Sequence, residues 1–220
     1  MKMSKKTLII TISSIVAVLF IAGIIWFMVA QNTQNQAGNT TSKVAKLYST
    51  LLEDQGYTFT RQKDKDNQIT NMRKGDKAYK EEMTDGGMLT YLVTDGDTYL
   101  LQNDTKTYYR YQNNDMILGE ITNNLEKIKD SDFSTGKETI DKKEYTYEEF
   151  SGYQEFLIDS NLTVSDSSKA KTRFYFKGNT LSYIKTIVGD QEETLKVEVS
   201  HQVDDNKLQL PEDYQNGEQE

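Results

Sequence analysis

The sequence predicts an α+β fold: an N-terminal transmembrane helix, then a strongly curved antiparallel sheet with two covering helices. Three observations carry that expectation. One uninterrupted apolar run fills residues 8–30, period-two hydrophobic alternation recurs from Tyr57 to Val203, and two segments, one before that stretch and one within it, show helical spacing.

The apolar run, Leu8 to Ala30, contains no charge, no proline and a single glycine. At about 1.5 Å rise per residue it is long enough for a hydrocarbon core of roughly 30 Å. Trp26 falls near its far end, where an indole favours the membrane interface. Lys2, Lys5 and Lys6 precede the run, and the next cation is Lys43. The positive-inside rule then puts residues 1–6 in the cytoplasm, an anchor at 7–30, and everything beyond it outside, at the cell membrane. A cleaved signal peptide ending at Ala30 is the competing reading. Its apolar region would be longer than the usual 7–15 residues, and Met28 is a poor small residue at the cleavage site. Gln31 to Thr41 is a polar, uncharged tether with nothing to bury.

From Ser42 the exported domain begins, with an expected extent of 42–214. Val44, Leu47, Tyr48, Leu51 and Leu52 make one apolar stripe and predict a helix over Ser42–Asp54. Strands are expected at Tyr57–Gln62, Ile69–Lys74, Ala78–Thr84, Met88–Thr94, Thr98–Gln102 and Thr107–Tyr111. Asp95-Gly96 and Asp85-Gly86-Gly87 supply hairpin turns between them. Ile117, Ile121, Leu125 and Ile128 predict a second helix, with Lys127 and Lys129 at its favourable end. Strands resume at Thr135–Asp141, Glu144–Phe150, Gln154–Asp159, Thr172–Lys177, Thr180–Val188 and Glu193–Val203. From Gln215 a frayed, disordered tail is expected. So many strands in one sheet should curl, with the two helix stripes covering a concave face.

Charge and composition exclude several functions. Three of the 26 Lys+Arg precede the apolar run, leaving 23 against 34 Asp+Glu, a formal charge of -11 outside. Nucleic acid would repel such a domain. An anionic membrane would repel it too, unless a local basic patch offsets the balance. With no cysteine and one histidine, thiolate chemistry and the common zinc sets are absent. No cofactor or metal is expected. Asp64-Lys65-Asp66-Asn67-Gln68 begins like a calcium loop but lacks its glycine and final glutamate, and reads as a charged hairpin. His201 continues the face of Leu195, Val197 and Val199, and reads as a partly buried polar residue at the end of a strand. Glu148-Glu149 and Glu192-Glu193 are adjacent in strands, where neighbours face opposite sides, and read as solvated. The 14 tyrosines suit sugar binding or, more simply, the β-propensity of a half-buried sheet.

The phrases Tyr91-Leu-Val-Thr-Asp-Gly-Asp-Thr-Tyr-Leu, Asp104-Thr-Lys-Thr-Tyr-Tyr, Arg173-Phe-Tyr-Phe-Lys-Gly-Asn-Thr and Leu210-Pro-Glu-Asp-Tyr, in an order helix, meander, helix, meander, carry a resemblance. The chain resembles the Lol-type lipoprotein carriers and related cell-surface lipoproteins of bacterial envelopes. That resemblance implies an unclosed β-barrel with a helical lid over an apolar cavity that binds acyl chains. Mapped onto this chain, the cavity would be lined by Leu89, Tyr91, Val93, Ile117, Ile121, Leu125, Phe174 and Phe176. The expected function is then a non-enzymatic, membrane-anchored extracytoplasmic module that binds a lipid or the acyl chain of a lipoprotein. The alternative is an envelope protein-interaction or sensing module with a filled core. An envelope hydrolase working through paired carboxylates is a third reading.

Overall fold

A computed structural model describes residues 41–53, 56–84, 87–111, 120–129, 131–152 and 170–217. These belong to one compact unit, Thr40–Glu220. Helix α1 spans Lys43–Glu53 and α2 spans Glu120–Lys129. Six strands follow α1: β1 (Tyr57–Gln62), β2 (Gln68–Lys74), β3 (Lys77–Thr84), β4 (Gly87–Thr94), β5 (Asp97–Gln102) and β6 (Thr107–Tyr111). Five follow α2: β7 (Phe133–Ile140), β8 (Lys143–Ser151), β9 (Ala170–Lys177), β10 (Thr180–Val188) and β11 (Gln191–Ser200). A 3₁₀ turn, Asp205–Leu208, and a two-residue strand β12 (Gln215–Asn216) end the domain.

All twelve strands join in one sheet, ordered β12-β6-β5-β4-β3-β2-β1-β11-β10-β9-β8-β7. Each meander is a run of antiparallel hairpins, and the two are fused where β1 pairs with β11, with Phe59 opposite Val199 and Arg61 opposite Val197. The turns use the chemistry the sequence advertises: Gly75, Gly96, Gly178 and Gly189 all adopt positive φ, as do Asp141 and Lys142 of the β7–β8 hairpin.

One expectation is corrected. The strongly curved, unclosed barrel under two covering helices is replaced by a large open sheet, whose ladder terminates at β12 and β7. The physical reason lies in how the faces are covered. One face of β8–β1 packs against the helices through Val44, Tyr48, Leu51 and Ile128, which meet Phe59, Phe150, Phe174, Phe176, Ile184 and Val197. Around β2 and β3 the opposite face is covered by the chain's own C-terminal segment, where Met72 and Tyr79 pack on Leu208 and Val203. With a different face covered in each half, the sheet removes its apolar surface from water without curling one lid over one cavity.

Among the described residues no helix is long and apolar enough to cross a membrane. The expected anchor, 7–30, lies outside the described residues, as do the expected strand Gln154–Asp159 and the start of the second predicted helix. Gln215 and Asn216, expected to fray, pair in parallel with Thr107 and Tyr108 of β6. Lys106 with Asp213, and Tyr214 with Asn103, tie down the same segment.

Candidate functional site

Strand register fixes which expected site residues share a face. Phe174 lies opposite Ile184, Ile184 opposite Leu195, Val197 opposite Arg61, and Phe59 opposite Asn71. Asn71 lies opposite Lys80, and Lys80 opposite Tyr91. Leu89, Tyr91, Val93, Phe174 and Phe176 therefore all point to the face that carries the helices. They are not brought together. Strand β4 is six ladder positions from β9.

Phe174 and Phe176 are fully buried beneath α1, where Tyr48 meets Phe174 edge-on at 6.5 Å and Phe150 meets it at 5.7 Å. Leu125 is half-buried against the same cluster. Val93 is buried on β4, Tyr91 is half-buried, and Leu89 is 47% exposed. Ile121 belongs to α2, its side chain lying outside the described ones, and Ile117 lies outside the described residues altogether.

Around Tyr91 the helix face carries a transverse row. Asn71, Lys80, Tyr91, Leu100 and Tyr109 stand opposite one another across β2 to β6. Tyr91, Leu100 and Tyr109 are half-buried, and Tyr111 and Leu89 flank them as exposed apolar side chains. Lys80 is ion-paired to Glu82 at 2.5 Å on the same face. The row is an aromatic and aliphatic strip with one charge pair along its side.

The opposite face of β7–β10 is built differently. Gly136, Tyr147, Tyr175 and Tyr183 are register partners. The Tyr147 ring lies over Gly136, where any Cβ would collide with it. Arg173 stacks on Tyr147 at 4.6 Å, and it bridges Glu149 at 2.6 Å and Glu138 at 2.9 Å. Glu138 also accepts from Tyr175 Oη at 2.7 Å and Lys185 Nζ at 2.8 Å. Burial works against ionising Glu138, but the Lys185 and Tyr175 hydrogen bonds and the nearby cations outweigh it, so its carboxyl sits below the usual range. Glu149 is lowered in the same way: burial opposes, and hydrogen bonds from Arg173 and Lys171 prevail. Burial and the Glu138 hydrogen bond push the Tyr175 phenol up.

These tyrosines are engaged with one another and with the network. Tyr145 meets Tyr183 at 5.3 Å, and Tyr147 meets Tyr175 at 5.4 Å. Their register is that of cross-strand packing, which supports the β-propensity account of the tyrosine-rich strands.

The carboxylate pairs divide between faces as strand geometry requires, but they are not both solvated. Glu148 is buried on the helix face, where it accepts from Ser42 Oγ at 2.7 Å and from the backbone N–H groups of Lys43 and Val44 at 2.8 and 3.2 Å. Glu193 is buried as well, with Lys63 at 3.6 Å. Glu138 and Glu149 share Arg173, and both are held ionised. A glycosidase-type general acid needs a carboxyl held protonated, which this cation-rich setting disfavours.

His201 stands exposed in the bend after β11, because the strand ends one residue earlier, at Ser200. Asp64 accepts from the Asp66 and Asn67 backbone N–H groups and from the Asn67 amide, which makes its loop a self-contained turn. Those hydrogen bonds hold its carboxyl below the ordinary range. Among the described residues no three His, Cys, Asp or Glu side chains converge as a metal site.

Depressions lined by described residues include the following two. One of about 330 Å³ opens among Lys74, Asp76, Lys77, Asp205, Leu208 and Gln209. The other, about 120 Å³, lies between Leu51, Leu52, Tyr57, Arg73 and Gly75. Neither touches the eight residues expected to line an acyl cavity.

No family model matches the chain, and no curated protein matches it. Among solved structures, one described as an uncharacterized conserved protein from Thermus thermophilus is similar, with a TM-score of 0.43 and 8% identity. The match covers 79% of this chain and 96% of that one. A likeness at that level carries no argument about function.

Proposed function

We propose that this chain is a non-enzymatic module of the bacterial cell envelope, held at the membrane by its apolar segment 8–30, that engages a protein partner through the aromatic strip of the helix face. One observation carries the reading. The half of the expected acyl site contributed by Phe174 and Phe176 is filled core, while the half contributed by Leu89 and Tyr91 stands at the surface.

A buried phenylalanine surrounded by Tyr48, Phe150 and Ile184 leaves no room for a second apolar guest. An exposed leucine beside half-buried tyrosines is the composition that protein interfaces favour, with aromatic anchors and a charged rim. The extracytoplasmic placement rests on the sequence, on the lysines before residue 8 and the uncharged run after them. Acyl binding is the second reading, favoured by the exposed apolar side chains of Leu89 and Tyr111.

A photo-crosslinking residue placed at Leu89 in the full chain, in growing cells, tests the proposal. Position 89 should give a discrete protein adduct that an equivalent probe at Glu198, exposed on the other face, does not. Adducts to lipid alone would turn the assignment to acyl binding. Indistinguishable patterns at the two positions would remove the strip as an interface.

A further inference from the structure

The domain is acidic overall, yet one corner of its sheet, at the β7–β8 and β9–β10 turns, gathers lysines. Strand directions place the β7–β8 turn (Asp141-Lys142) and the β9–β10 turn (Gly178-Asn179) side by side at the same end, because Tyr147 and Thr146 pair with Tyr175 and Phe176. Helix α1 begins at that end as well. Lys43 Nζ donates to the Gly178 carbonyl at 2.9 Å and lies 5.5 Å from the Phe176 ring. Five exposed lysines, Lys43, Lys46, Lys142, Lys143 and Lys177, thus surround the point where the chain enters the domain.

Nearby carboxylates are engaged with other groups. Glu148 is buried and engaged with the start of α1. Glu144 is paired with Lys137 at 2.9 Å. Asp141 accepts from Tyr183 Oη at 3.3 Å. Among the described residues, none of the five lysines has a carboxylate within ion-pair distance.

Three lysines elsewhere are matched to acids. At the far end of the strands Lys63 lies 3.6 Å from Glu193, Lys65 3.2 Å from Asp66, and Lys106 2.5 Å from Asp213. Lysines in those turns are matched to acids, while those around the entry point have no described carboxylate within ion-pair distance.

Chain length supplies the second argument. Eleven residues, 31–41, separate the apolar run from Ser42. Even fully extended, that many residues span no more than roughly 40 Å. That connection ends at Ser42, directly before Lys43 and four residues before Lys46.

We infer that these five lysines form a docking surface for the anionic phospholipid headgroups of the bilayer in which the chain is held. The inference rests on the envelope placement proposed above. Lysine ammonium groups near an anionic leaflet are attracted to it, and the attraction fades within a Debye length, about 8 Å at physiological salt. An acidic body with one basic corner would be attracted only at that corner. The surface therefore orients the domain as well as attracting it, turning the β7–β8 and β9–β10 turns toward the membrane and the opposite ends of those strands away from it.

The test separates this from the anchor itself. The compact unit Thr40–Glu220, carrying an N-terminal hexahistidine tag, is held on vesicles by nickel-chelating lipid, so that tethering no longer depends on residues 8–30. The chain has no cysteine, so Asn179→Cys or Gln191→Cys gives a single dye position at either end of β10. Energy transfer to a headgroup acceptor is then compared in phosphatidylcholine vesicles with and without phosphatidylglycerol.

Transfer from position 179 should rise when phosphatidylglycerol is included, while that from position 191 stays low. The rise should disappear in 1 M salt, where the Debye length is about 3 Å. It should also disappear in the triple variant K142E/K143E/K177E, and shrink by a lesser amount in K142Q/K143Q/K177Q. These side chains are exposed, and circular dichroism of the variants reports their fold. Equal transfer at 179 in both lipids, an equal rise at 191, or an unchanged triple variant would each overturn the inference. Separately, membrane extraction of the full chain from cells reports on the anchor, whatever the vesicles show.

Discussion

Ser42 donates its hydroxyl to Glu148 at 2.7 Å, across 106 residues of sequence, and so fastens the first turn of α1 to the middle of β8. Ser42 Oγ itself accepts from the Ala45 backbone N–H at 3.1 Å, while Glu148 takes the N–H groups of Lys43 and Val44. A serine cap thus holds one open donor of the helix, and a carboxylate from the sheet holds two more, at the end where the helix dipole favours negative charge.

Removing either partner should unfasten the helix from the sheet. Glu148→Ala leaves three donors without their acceptor and is expected to cost about 2–3 kcal/mol. Ser42→Ala should cost about 1 kcal/mol. Because the two act on one helix end, the double variant should lose less than the sum, as measured by urea unfolding.

Acid should weaken the domain through Glu138 and Glu149. Both carboxyls are held below their ordinary range when folded, so their contribution is complete above the unfolded value, about 4.3, and is lost as pH falls through the lowered folded values. Stability should be level from neutrality to about pH 5 and decline below roughly 4.3. The variant E138Q/E149Q should be less stable at pH 7 and show a shallower decline. An unaltered slope would assign acid sensitivity to other groups.

Gly136 and Tyr147 form a second matched pair. A methyl group at 136 has no space while the ring lies across β7. Gly136→Ala should displace Tyr147 from beneath Arg173 and cost about 1–3 kcal/mol, a crowding penalty. In a Tyr147→Ala background the same substitution should be close to neutral. A double-mutant cycle on thermal or urea unfolding measures the difference.

The C-terminal segment should behave as a structural strap. Leu208, 2% exposed, packs on Met72 and Tyr79. Leu208→Ala is expected to cost about 2–4 kcal/mol. Amide exchange should quicken first in β2 and β3, the strands it covers, and not in β8–β10 beneath α1.

Most of the local structure was legible. The Leu195, Val197, Val199 alternation placed β11, and Asp95-Gly96 placed its turn, because period and turn chemistry are local properties. The pairing of β1 with β11 was not legible, since nothing in Phe59 or Val199 names a partner about 140 residues away. That one pairing fuses the two meanders and sets Leu89 far along the ladder from Phe174, which undid the expected shared cavity. Glu148 was hidden for a similar reason: as one of two adjacent glutamates in a strand it looked solvated, and only the arrival of α1 makes it a cap. The lysines at 43, 142, 143 and 177 are scattered in sequence and become a patch only through the strand order.

Native mass spectrometry of the unit Thr40–Glu220, purified without detergent and then offered phospholipid and fatty acid, tests the filled core most directly. A filled core should give the bare polypeptide mass, with no lipid retained from the cells and no uptake of either additive. A stoichiometric lipid on the unaltered protein, released by Leu125→Arg, would contradict it and restore the acyl-binding reading.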